Sequence, residues 1–112
     1  MSNNRIMLGR LGEYFAENYL VHCGYIVEEK NYRCRYGEID LIASKGSVLY
    51  FVEVKTRRSM AFGTPAEAVT AEKRLHMRKT AACFLEEHNY RGYAIEFKVI
   101  EIFINEIDNV LV

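Results

Sequence analysis

At 112 residues, half of them hydrophobic, the chain has material for one core and not for two, and dimerisation would help a core of this size. Its 15 basic and 15 acidic side chains cancel, which excludes a general polycation that coats nucleic acid by charge alone. No apolar run approaches the ~18 residues of a membrane span, so no membrane partner is expected.

The chain opens with Leu8, Leu11, Phe15 and Tyr19 at helical spacing, which predicts a helix from about Asn4 to Cys23 stopped by Gly24, with these four on its apolar stripe. Because Met1 to Arg5 leads straight into that helix, no secretory signal is expected. The three scattered cysteines, Cys23, Cys34 and Cys83, suit reduced thiols, so the expected location is cytoplasmic. Gly9 and Gly12 have no preceding strand to make a phosphate cradle and are read as permitting close packing.

Three strands follow, at about Tyr25 to Arg33, Tyr36 to Ser44 and Ser47 to Thr56. A turn at Lys45-Gly46 would pair Ser44 with Ser47, Ile42 with Leu49, Asp40 with Phe51 and Glu38 with Glu53. Glu38, Asp40, Ile42, Leu49, Phe51, Glu53 and Lys55 then share one face, and Ile39, Leu41, Tyr50 and Val52 the other.

In that register Asp40 and Glu53 are diagonal neighbours, roughly 7 Å apart at the backbone. Like charges so placed weaken a bare hairpin, whereas a divalent cation between them turns repulsion into binding. Lys55, one pleat on, can hold a water or steady a phosphodiester transition state. Hard oxygen donors without a Cys/His set point to Mg²⁺ or Mn²⁺.

After an irregular stretch from Arg57 to Val69, Thr70 is placed to cap a helix reaching about His88, with Met77, Ala81, Phe84 and Leu85 inward. Tyr93 to Ile104 reads as a last strand that could pair parallel to its neighbour after the helical crossover. The expected fold is α/β, a mixed central sheet with a helix on each face and the order helix, three-strand meander, helix, strand, all within one domain spanning 1–112. From Lys55 to Lys79 there are seven basic residues against two acids, a nucleic-acid footprint that nominates Arg57, Arg58, Lys73, Arg74, Arg78 and Lys79 as backbone contacts.

Gly37-Glu38-Ile39-Asp40-Leu41-Ile42, Phe51-Val52-Glu53-Val54-Lys55-Thr56-Arg57 and Phe62-Gly63-Thr64-Pro65-Ala66-Glu67-Ala68-Val69, in that order before a basic helix, resemble the YraN-type family of small bacterial proteins. That family is similar in turn to the PD-(D/E)xK nucleases with a restriction-endonuclease-like core, archaeal Holliday-junction resolvases in particular. The resemblance implies that Asp40 and Glu53 are metal ligands, that Lys55 is the catalytic lysine and that Glu13 is the acid of the first helix. Ile39 stands where the motif's proline would be. Glu13 shares a helical stripe with Gly9, Ala16 and Leu20, and Glu38 would assist or orient. The reading that follows is a Mg²⁺- or Mn²⁺-dependent endonuclease, with DNA favoured over RNA. The alternatives are a catalytically silent nucleic-acid-binding module of the same fold and a protein-interaction adaptor.

Overall fold

The computed structural model describes residues 2–58 and 70–111. Of the irregular stretch expected from Arg57 to Val69, Arg57 belongs to β3, and residues 59–69, with the Phe62 to Val69 motif, lie outside the described residues. Helix α1 (Ser2–His22) is followed by β1 (Ile26–Cys34), β2 (Gly37–Lys45), β3 (Val48–Arg57), α2 (Ala71–Glu87) and β4 (Ala94–Phe103). The strands form one sheet in the order β1-β2-β3-β4. β1 pairs antiparallel with β2 and β2 with β3, and β4 pairs parallel to β3, as a helical crossover allows. No helix among the described residues is long and apolar enough to cross a membrane.

Helix α1 stops where Gly24 adopts φ +89°, with Tyr25 N–H donating to Leu20 O and Gly24 N–H to Val21 O, a Schellman ending. The stripe expected inward on α1 is instead exposed at Leu11, Phe15 and Tyr19, and the face that docks carries Gly12, Ala16 and Leu20. The physical reason is distance. A Cβ on Gly12 would collide with the Thr56 side chain, so the helix axis lies closer to β3 than a stripe of Leu, Phe and Tyr would allow. Gly9 meets nothing and plays no such part.

Helix α2 behaves as its pattern predicts. Thr70 Oγ1 accepts the N–H of Lys73 at 3.1 Å, and Met77, Ala81 and Phe84 are buried, joined by Thr80, whose hydroxyl donates back to His76 O at 2.8 Å. The two helices cover opposite faces. Tyr32, Ile39, Ile42, Leu49 and Phe51 pack with Ala81 and Phe84 on one side, and Leu41, Ala43 and Val52 pack with Ala16 and Leu20 on the other.

Two details of the meander differ from expectation. Lys45 pairs with Val48, Ser44 with Leu49 and Ile42 with Phe51, so the loop is Gly46-Ser47, with Gly46 at φ +62° in its first position. The primed two-residue turns require positive φ there, and glycine supplies it without a Cβ penalty. The register therefore moves by two residues, which preserves the faces of Ile42, Leu49 and Phe51. The second difference is Ile39, expected beside Leu41 but buried with Ile42 on the α2 side. Opposite this break the non-glycine Asn31 sits at φ +52°, between the Lys30–Leu41 and Tyr32–Ile39 pairs, and resets the alternation of the ladder.

Candidate active site

The acidic residues gather where the β2–β3 ladder stops. Its last pair is Leu41–Val52, and one residue beyond, Asp40 Oδ2 takes the N–H of Val54 at 2.7 Å, so the side chain satisfies the donor that the ladder leaves open. Continuing the observed register one step past Leu41–Val52 sets Asp40 opposite Glu53, not diagonal to it as the other register would have it. Burial, the hydrogen bond to Glu53 and the charges of Glu53 and Glu13 push the Asp40 carboxyl up to about 8. Burial alone would raise Glu53 as well, but the Asp40 proton and the Lys73 ammonium outweigh it and hold Glu53 below the ordinary carboxylate range. Asp40 is thus biased toward its protonated form and Glu53 toward its ionised form.

Glu53 is 7% exposed, and its Oε2 lies 2.7 Å from Lys73 Nζ. The approach is close but poorly directed, so this buried oxygen has a positive charge beside it and no well-formed hydrogen bond. Lys73 is therefore an internal counter-ion to Glu53, with its side chain still 38% exposed.

Glu13 comes from α1, where burial and the nearby charge of Glu38 raise its pKa. Between these two carboxylates stands Asn31. With its amide nitrogen turned toward them it donates to Oε1 of each at 3.1 Å. Glu38 also meets Arg33 Nε at 3.5 Å. Asn31 escaped the sequence reading, because nothing local distinguishes a strand asparagine that adopts positive φ and bridges two acids from a turn residue.

Lys55 is half-buried on β3 two residues beyond Glu53, whose carboxylate feels its charge. In register beside it on β4 is Glu101, whose Oε2 is buried with no hydrogen-bond partner among the described residues. Only the parallel pairing of β4 with β3 brings Glu101 to Lys55. A cleft of about 310 Å³ adjoins Glu38 and Lys73, bounded also by Gly37, Thr70, His76 and Thr80.

The remaining basic nominees are dispersed. Arg57 ends β3 and is half-buried, and Arg58 is exposed. Arg74 and Arg78 rim a cavity of about 240 Å³ against Phe97 and Lys98 on β4. Lys79 Nζ lies 5.4 Å from the Tyr36 ring centre. The thiols of Cys23, Cys34 and Cys83 are free and partly buried.

The donor set suits a hard divalent ion. Mg²⁺ is commonly held by one or two carboxylates with water completing its shell, and Asp40 and Glu53 offer two carboxylates with one unsatisfied oxygen. Among the described residues no three acidic, His or Cys side chains converge on one ion position, so an ion held here would take its remaining ligands from elsewhere.

Residues 12–102 match the sequence profile of the Uncharacterised protein family UPF0102. A UPF0102 protein of Caldicellulosiruptor bescii is 44% identical over 108 residues, covering 96% of this chain and 91% of that one. One from Dictyoglomus turgidum is 42% identical over 111 residues, with 99% and 92% covered, and one from Moorella thermoacetica is 39% identical over 110, with 98% and 92% covered. The chain belongs to the UPF0102 family, the YraN-type proteins that its motifs resemble.

Proposed function

We propose that the protein is a metal-dependent nuclease of the PD-(D/E)xK type, acting on DNA by phosphodiester hydrolysis. The observation that carries this reading is the placement of Asp40 and the buried Glu53 together at the open end of a β-ladder, with Lys55 next on the same strand. A bound Mg²⁺ or Mn²⁺ would supply charge stabilisation at the scissile phosphate and an acidified water. Asp40 and Glu53 would hold it, Asp40 giving up its proton, and the Val54 N–H keeps the Asp40 carboxylate aimed. Lys55 orients the attacking water or steadies the anionic oxygens. Glu13 and Glu38, tied by Asn31, fix the outer side of the site. Lys73, relieved of Glu53, and the exposed Arg58, Arg74 and Arg78 would meet the DNA backbone.

The test is incubation with nicked, flapped and four-way DNA in Mg²⁺ or Mn²⁺, comparing wild type with Asp40→Asn and Lys55→Ala. Product from wild type alone supports the reading, and equal product from all three overturns it. The lysine seated on Glu53 favours one alternative, a binding module that has lost turnover. It predicts salt-sensitive DNA binding weakened by Arg74→Ala, with no metal-dependent product.

A further inference from the structure

β4 closes the described sheet on one side, and its outer edge has no partner among the described residues. Ala94 and Ile104 donate their N–H groups inward, to Ser47 O and Arg57 O. By the alternation of a strand, Ile95, Phe97, Val99, Glu101 and Phe103 therefore turn their backbone N–H and C=O groups to the open side. A ten-residue edge of this kind templates pairing with another strand.

The surfaces flanking that edge are apolar above and below. On the α2 side Ile95 is 38%, Phe97 45% and Val99 38% exposed. On the α1 side the stripe left out of the core borders β4 directly, with Phe15 45% and Tyr19 60% exposed along a groove that ends on Lys98 to Ile102. Taking about 150–250 Å² for a whole aromatic side chain, these residues with Leu11 and Phe103 leave on the order of 600 Å² uncovered. A standard interface buries about 800 Å² per partner, and the strand backbone and its polar rim supply the difference.

We propose that the β4 edge pairs antiparallel with the same edge of a second copy, about a two-fold axis at Phe97. The register follows from charge. Only this two-fold register sets Lys98 of each copy directly opposite Glu96 of the other; moving the axis by one residue opposes Lys98 to itself or Glu96 to itself. The same register joins Ile95 to Val99 and Phe97 to Phe97 in one apolar row across the seam. Lys98 lies on the α1 side over the rings of Tyr25 and Tyr50, and in the pair its ammonium exchanges those contacts for Glu96 of the other copy. With strands about 4.8 Å apart and about 3.3 Å of rise per residue, the two Glu53 Cα atoms would stand about 20 Å apart on one continuous sheet.

Sedimentation equilibrium across micromolar concentrations should give twice the chain mass for wild type and a folded monomer for Phe97→Asp. Glu96→Lys and Lys98→Glu should each weaken association by about tenfold or more, and the double reversal should restore it. Oxidised Phe97→Cys should yield a covalent dimer that wild type, treated alike, does not form, because self-paired Cα atoms fall within disulfide reach. A monomeric wild type overturns the proposal, as does a dimer indifferent to the charge reversals and without the cross-link. If Phe97→Asp fails to fold, the charge pair and the cross-link decide alone.

Discussion

Asp40→Asn should stabilise the metal-free protein, increasingly so as pH rises. The folded state raises the Asp40 carboxyl from 3.8 to about 8 because burial and Glu53 favour its protonated form. The unfolded chain loses that proton near pH 4, so the stabilisation is complete below pH 4 and disappears as pH climbs through about 8. Each pH unit in that window costs at most about 1.4 kcal/mol. Between pH 5 and pH 8 the wild type should therefore forfeit up to about 4 kcal/mol that the variant keeps. Asparagine reproduces the neutral acid at every pH, since its oxygen can accept the Val54 N–H and its amide can donate to Glu53. Urea unfolding in EDTA at half-unit pH steps measures the difference, and titrations elsewhere in the chain cancel between the two proteins. A gap that stays constant or narrows from pH 5 to pH 8 would refute the bias of Asp40 toward its protonated form.

Three further outcomes are expected. Mn²⁺ binding to wild type at pH 7, followed by calorimetry in buffers of different ionisation enthalpy, should release close to one proton per ion, and Asp40→Asn should release none. Lys73→Met should destabilise the metal-free protein by about 1–2 kcal/mol in urea unfolding, below the about 3–5 kcal/mol of a fully buried broken pair because the lysine is partly exposed; its loss should be largely recovered by adding Glu53→Gln. Gly12→Ala should cost about 1–3 kcal/mol by overpacking against Thr56, with part regained in the Gly12→Ala, Thr56→Ala double variant.

The sequence carried the coarse architecture well because each element has a period of its own. Thr70 as a cap, Met77, Ala81 and Phe84 as an inward stripe, and β4 parallel to β3 all follow from local pattern and chain connectivity. The hairpin's faces were legible too, apart from Ile39, since a two-residue change of register leaves parity untouched, but its pairing was not: Lys45-Gly46 and Gly46-Ser47 are both acceptable loops on paper. The stripe on α1 misled because hydrophobicity ranks Phe15 and Tyr19 above Gly12 and Ala16, whereas docking distance ranks them the other way. At the site, Asp40, Glu53 and Lys55 were legible as neighbours on two strands. Asn31 between Glu13 and Glu38, Glu101 beside Lys55, and Lys73 on Glu53 depend on contacts between distant segments.

The ammonium that α2 lends to β3 has a consequence for how this chain persists. Because Lys73 already neutralises the deepest carboxylate, the acid-rich end of the sheet needs nothing from solution to stay assembled. The polypeptide carries its own positive charge at this end of the sheet, so scarcity of divalent metal would leave the fold intact.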